Sequence, residues 1–257
     1  MDTPRVAGTY FPVPGAIAPG HSNRTNAPYG VVSQEPFRPS RELGAKALLQ
    51  RARAEPRKAL RALVALAKGQ LFIAWYRLRR ARLRVGRNLR VFGRLSVRGP
   101  GEVVLGDDVV IEGTVTLWTQ APGARIEIGD RVILGGTAFG CAREIRIGSL
   151  SIVARAQIMD TDFHSLGIDR RNPAAPIRVV PVAIGYNVWI ADRVGILPGT
   201  QIGDNSVVSF GAVCSRAYPP NVVIVGNPAR VAAPVPGAAG SALRGGAESS
   251  GAPQVPA

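Results

Sequence analysis

Cysteine and histidine are scarce in this sequence, and each scarcity excludes something. Two cysteines in 257 residues, Cys141 and Cys214, cannot build a disulfide scaffold, so a reducing compartment is the simpler expectation. Two histidines, His21 and His164, cannot supply a three-histidine site within one chain. There is also no CxxC pair and no HExxH, so no metal is expected. Long apolar runs are missing too. Leu71-Phe72-Ile73-Ala74-Trp75-Tyr76 is far shorter than the roughly 18 residues a membrane-spanning helix needs. The start, Met1-Asp2-Thr3-Pro4-Arg5, has neither the basic nor the apolar region of a signal peptide. Together these readings predict a cytoplasmic chain.

Acidic residues are few as well: 17 Asp+Glu stand against 32 Lys+Arg, a net charge of +15. Hydrophobic residues make up 46%, so most of the chain can bury a core. The excess charge is confined. Residues 41–98 contain only two acids, Glu42 and Glu55, and their basic residues account for the whole +15. Within them, residues 41–87 read as a basic amphipathic helical segment. After Pro56, apolar residues fall at Leu60, Leu63, Val64, Ala67, Leu71, Trp75 and Leu78, the spacing of one helix face. Trp75 and Tyr76 end the stripe, and Arg77, Arg79, Arg80, Arg82 and Arg84 follow. Such a helix, at residues 56–84, can lie on an anionic membrane surface at the inner face of the membrane. It can equally pack on protein with its arginines in water, and the residues leave both open. No RNP, KH or finger pattern accompanies the charge, so nucleic acid is not expected as a partner. Residues 1–40 and 235–257, rich in Gly, Pro, Ser and Ala or Asn, read as disordered tails.

The rest of the chain carries a period of six. From Ile184 the blocks run IGYNVW, IADRVG, ILPGTQ, IGDNSV, VSFGAV. The fifth residue of each block is Val188, Val194, Thr200, Ser206 and Ala212, all small or β-branched. Upstream, Leu105, Ile111 and Leu117 continue the pattern, then Ile128 and Leu134, then Ile147, Val153 and Met159. Slips fall near Pro122-Gly123 and near Cys141, and Gln157 and Phe163 break the rule of small residues. Neither a helix nor an alternating strand repeats every six residues. A fixed hexapeptide is the mark of a β-solenoid whose aliphatic positions fill a narrow core. Gly106-Asp107, Gly129-Asp130 and Gly203-Asp204 suit its corners.

This pattern resembles the hexapeptide-repeat acyltransferases, over residues 88–234. The resemblance implies an all-β fold: a left-handed parallel β-helix with three hexapeptides per turn, assembled as a homotrimer with active sites between subunits. The repeat stops after Met159 and resumes at Ile184, leaving an extruded loop at 165–183. His164, the only histidine in the folded region, stands where that loop leaves the solenoid. Loops on a rigid scaffold are common places for catalytic groups, and imidazole suits proton removal near neutral pH. Among the sugar and xenobiotic acetyltransferases of the superfamily, a histidine just before the extruded loop is the general base. Residues 158–164, IMDTDFH, look like that segment. Downstream, NVWI at 187–190, ILPG at 196–199, IGDNSVV at 202–208 and GNPARV at 226–231 look like the family's other signatures.

The resemblance makes His164 the base that deprotonates the acceptor for attack on acetyl-CoA. Asp162 or Asp160 could orient its imidazole, with Asp162 preferred. The matching CoA positions are Asp192, Phe210, Gly211, Ala212, Ser215, Arg216 and Arg230, the two arginines being suited to phosphate. Asp192 departs from the family's usual small residue, and Phe210 is bulky for a backbone groove. Cys141 and Cys214 read as buried thiols of the coils rather than nucleophiles. The expected activity is O-acetylation of a sugar or lipid-linked sugar, in surface polysaccharide or glycolipid synthesis. An N-acetyltransferase acting on an amino sugar or xenobiotic, and a non-catalytic scaffold, are the alternatives.

Overall fold

The computed structural model describes residues 50, 52–78 and 82–237. The tail predicted at 1–40, and all but the first three residues of that predicted at 235–257, lie outside the described residues.

The chain from Leu83 onward winds into a parallel β-solenoid of about seven turns. It has three flat faces. Face one begins with Leu83–Val85, face two with Arg90–Val91 and face three with Arg94–Arg98. They hold seven, eight and six strands. The first coil thus starts five residues ahead of the expected boundary at 88. On face two the strand Val222–Val225 pairs antiparallel with Arg230–Pro234, which ends the stack.

The hexapeptide period is the geometry of one coil. Ile184 pairs with Ile202 and Ile190 with Val208, each eighteen residues apart, so three hexapeptides make one turn. Aliphatic side chains from every coil meet in a single core, with Ile111, Ile126, Leu134, Ile145, Ile190 and Ile196 fully buried. The small positions point inward beside them: Val109, Val132, Val188, Thr200, Ser206 and Ala212 are all buried. Buried Thr200 and Ser206 satisfy their hydroxyls on backbone carbonyls of the same corner, as polar atoms in a core must.

Face three corrects the reading of the interrupted repeats. Ile158 fills the core there in place of Met159, and Phe139 fills it one coil earlier. The corner between faces two and three is one residue shorter in these coils, so Leu134 is followed by Phe139 and Val153 by Ile158. Ala156 takes the small inward position, which is why Gln157 broke the rule.

The corner between faces one and two is a ladder. Asn88, Asp108, Arg131, Leu150, Asn187, Asn205 and Asn221 occupy it in successive coils, all with positive φ. Asparagine and aspartate tolerate that conformation better than most residues. The glycine-aspartate pairs work as expected. Asp107, Asp130 and Asp204 each accept a backbone N–H from the preceding coil at 2.7 Å. A Cβ at Gly106 would lie 2.4 Å from the Asp130 carboxylate, so the coils could not approach.

Helix α1, Pro56–Leu78, covers the open end of the first coil. Ala65, Gly69 and Ile73 are buried against it, and Phe72 packs on the core. Tyr76 donates its hydroxyl to the Val97 carbonyl at 2.9 Å, and Lys68 donates to Gly93 O at 2.8 Å. At 3.6 residues per turn, these positions lie nearly opposite the apolar stripe read from the sequence. The helix therefore has two apolar faces. It does pack on its own protein, but the stripe of Leu60, Leu63, Val64, Leu71, Trp75 and Leu78 faces outward, 46% to 83% exposed. No helix among the described residues is long and apolar enough to cross a membrane.

Candidate functional site

The largest break in the solenoid lies between the strands Gln157–Met159 and Val182–Ile184. Val153 pairs with Ile190, thirty-seven residues on, so this coil holds one normal turn and nineteen extra residues. The extra chain leaves at the edge between faces three and one, through a short antiparallel neck. Val180 N–H donates to Asp160 O at 2.8 Å, Asp162 N–H donates to Arg178 O at 3.2 Å, and Thr161 bridges Val179. Arg178 ties the neck to the next coil by donating its guanidinium to Pro198 O.

Asp160 fixes the neck to the coil below. Its side chain is fully buried, and its carboxylate accepts the backbone N–H groups of Ala142, Arg143 and Glu144, each at 2.7 Å. The Cys141 thiol lies 3.5 Å from the same carboxylate. Burial, and then the charge of Asp160, push that thiol up to about 12. Burial pushes the Cys214 thiol up to about 11. Both cysteines are the buried coil thiols the sequence implied.

Phe163 turns the chain with a φ of 61° and lays its ring over Gly140, where a Cβ would lie 2.3 Å from the ring tip. The ring stacks on Trp118, centroids 5.5 Å apart. His164 follows, its N–H donating to Asp162 O at 2.7 Å in a tight turn. Its side chain is exposed and borders a cavity of about 460 Å³ within the loop. Arg170, Arg171 and Asn172 line the same cavity.

Asp160 and Asp162, equivalent as letters, have different places. Asp160 is spent on backbone N–H groups. Asp162 is half-buried, and its Oδ2 has no hydrogen-bond partner among the described residues. No hydrogen bond joins its carboxylate to the His164 imidazole there; only backbone atoms of the two residues meet.

The residues expected at a CoA groove divide between edges of the prism. Ser215 and Arg216 are exposed on the edge between faces three and one, the edge from which the His164 loop emerges. Asp192, Phe210 and Gly211 lie across face three, on the edge between faces two and three. There Gly211 N–H donates to Asp192 O at 3.1 Å. Asp192 is taken by Arg155, whose guanidinium donates to both its oxygens and holds its carboxyl below the usual range. Phe210 is exposed, with the Arg193 guanidinium 5.5 Å from its ring centre. Ala212 faces the core, and both its backbone groups are used within the solenoid, by Ser209 O and Gly195 N. Arg230 is exposed on the closing strand.

Trp118, Arg155, Arg178 and the Arg170-Arg171 pair were not singled out in the sequence. Phe163 was marked only as a break in the repeat. That break was the usable signal, since a bulky residue at a small position shows where the chain leaves its coil.

The chain is similar to acetyltransferases. It is 38% identical over 116 residues to a provisionally named acetyltransferase of Saccharomyces cerevisiae, covering 42% of this chain and 56% of the relative. Over 51 residues it is 53% identical to galactoside O-acetyltransferase of Escherichia coli, covering 20% and 25%. Over 130 residues it is 33% identical to a provisionally named colanic acid biosynthesis acetyltransferase of Escherichia coli, covering 49% and 66%. The chain is thus similar to acetyltransferases in sequence and carries a parallel β-solenoid. Each of these matches spans less than two thirds of the relative's length. No family model matches the chain. Among solved structures, AntD, an N-acyltransferase from Bacillus cereus in complex with dTDP and 3-hydroxybutyryl-CoA, shares the fold. Its TM-score is 0.52 at 18% identity, over 63% of this chain and 88% of that one.

Proposed function

We propose that the protein is an acetyl-CoA-dependent O-acetyltransferase that acts on a sugar. The observation that carries the reading is the place of His164: exposed, at the neck of the extruded loop, bordering a cavity on a hexapeptide solenoid. In the reaction, the imidazole takes the proton of an acceptor hydroxyl as its oxygen attacks the thioester carbonyl. The tetrahedral oxyanion collapses, the C–S bond breaks, and the imidazolium returns the proton to the departing CoA sulfur. Asp162 has an unpartnered Oδ2 that is buried, so its proposed role is to orient the imidazole rather than to meet the acceptor.

The proposed cofactor is acetyl-CoA, with Ser215 and Arg216 exposed to meet it on one edge and Asp192, Phe210, Gly211 and Arg230 on the other. A ligand touching both groups within one chain must cross face three. Two copies packed edge to edge would bring them together, which supports a homotrimer with active sites between subunits.

Helix α1 supports the second half of the reading, a cytoplasmic enzyme peripheral to the inner face of the membrane. Its outward apolar stripe carries an aromatic residue and sits in the basic segment, which favours an anionic bilayer. A lipid-linked sugar of surface polysaccharide or glycolipid synthesis would meet the enzyme there. The test is release of free CoA from acetyl-CoA with free, nucleotide-linked, amino and lipid-linked sugars. Release that depends on the acceptor and falls about 10²–10⁴-fold in His164→Ala is expected. Equal release from both proteins would refute His164 as the base. A product stable to hydroxylamine would turn the reading to N-acetylation.

A further inference from the structure

The cavity beside His164 has a second wall that acyl transfer does not call for. Arg170 and Arg171 border it with Asn172, opposite no carboxylate. Several arginines of the solenoid are neutralised: Arg87 pairs with Asp107, Arg125 with Glu102 and Glu127, Arg146 with Glu144, and Arg155 with Asp192. Neither Arg170 nor Arg171 makes an ion pair among the described residues. Arg170 donates only its Nε, to Gly167 O at 3.4 Å, which leaves its two terminal nitrogens available. The turn that carries them is held by its own bonds. Asn172 N–H donates to Asp169 O at 3.2 Å, Ala175 N–H to Asn172 O at 3.0 Å, and Ala174 N–H to Asn172 Oδ1 at 2.9 Å.

We infer that this cavity binds the acceptor through a phosphate, with Arg170 and Arg171 as its ligands. Two adjacent guanidinium groups with open donors suit the paired oxygens of a phosphate ester. The volume, about 460 Å³, falls in the range of small-molecule sites and holds a sugar with one or two phosphates. His164, which borders the same cavity, then faces a hydroxyl of the sugar. The inference rests on the acetyltransferase reading for the identity of the sugar as acceptor, but the anion site stands on its own residues. The phosphate has two sources, a soluble nucleotide or sugar phosphate, or the diphosphate of a lipid-linked sugar.

Calorimetry on the full chain with inorganic pyrophosphate, and separately with CoA, tests the inference. Pyrophosphate binding is expected to weaken about tenfold or more in Arg170→Gln/Arg171→Gln, with CoA binding changed less than about twofold. His164→Gln should still bind pyrophosphate. The double variant should raise KM for phosphorylated acceptors about tenfold more than for the corresponding free sugars. Nucleotide-linked sugars in solution and polyprenyl-diphosphate sugars in neutral vesicles then separate the two sources. Pyrophosphate affinity unchanged in the double variant would overturn the inference while leaving the transferase reading intact. So would an equal loss of CoA affinity, because the arginines would then be cofactor ligands. Arginine-dependent pyrophosphate binding without any CoA binding would instead sink the transferase reading and leave the anion site standing.

Discussion

Replacing Asp160 with asparagine keeps the shape of the side chain and removes one acceptor from a fully buried carboxylate that serves three backbone N–H groups. The carboxamide has one oxygen. Its better orientation keeps that oxygen on Arg143 and Glu144 N–H and turns the NH2 against Ala142 N–H. One buried N–H is left unsatisfied, at about 1–3 kcal/mol, and two charge-assisted bonds become neutral ones, at about 1 kcal/mol each. The sum, about 3–5 kcal/mol, is a large share of an ordinary domain's stability. Asp162→Asn, two residues on, changes a carboxylate whose Oδ2 has no partner, so about 1 kcal/mol or less is expected. Urea unfolding at one fixed protein concentration, followed by circular dichroism, compares the two variants. With a slope of about 2 kcal/mol/M, Asp160→Asn should lower the midpoint by about 2 M, and Asp162→Asn by less than about 0.5 M. Equal shifts in the two variants would refute the assignment of Asp160 as the anchor of the neck.

Gly140→Ala should push the Phe163 ring off Trp118 and cost about 1–3 kcal/mol, with much of the loss recovered in Gly140→Ala/Phe163→Leu; additive losses in a double-mutant cycle would contradict the contact. Cys141 and Cys214 should resist alkylation until the protein unfolds. Because folding raises both thiols, to about 12 and about 11, the folded state retains protons that the unfolded chain begins to lose near pH 8.5. Stability should therefore fall between about pH 9 and 12, and less steeply in Cys141→Ala when midpoints are measured along that range. Flotation with anionic liposomes should be lost in Leu63→Ser/Leu71→Ser/Trp75→Ser, while neutral liposomes should bind the wild type weakly. A self-association state that changes with this variant, in a protein that never floats, would assign the stripe to a second copy instead.

The hexapeptide period made the fold legible because its cause is local. Each block supplies one inward aliphatic residue and one corner, and Ile184, Ile190, Ile196 and Ile202 report this without knowledge of any contact. The position of His164 was legible for the same reason: an interruption in a regular repeat marks where chain leaves the scaffold. The slip on face three was not, since a corner shortened by one residue shifts Ile158 inward in place of Met159 and only the pairing across coils reveals it.

By itself, then, the sequence determined the solenoid, its core rows, its Gly-Asp corners and the loop with its histidine, all set by residues within one turn of each other. Only the tertiary structure decided which of two nearby aspartates anchors the loop, because the N–H groups that Asp160 binds come from the coil below. It alone separated the expected cofactor residues onto two edges, since faces close through neighbours a whole turn apart. And it alone showed that helix α1 docks on Ala65, Gly69 and Ile73 and leaves its other apolar face outward. A helix with two apolar faces has no unique inside until another surface covers one of them.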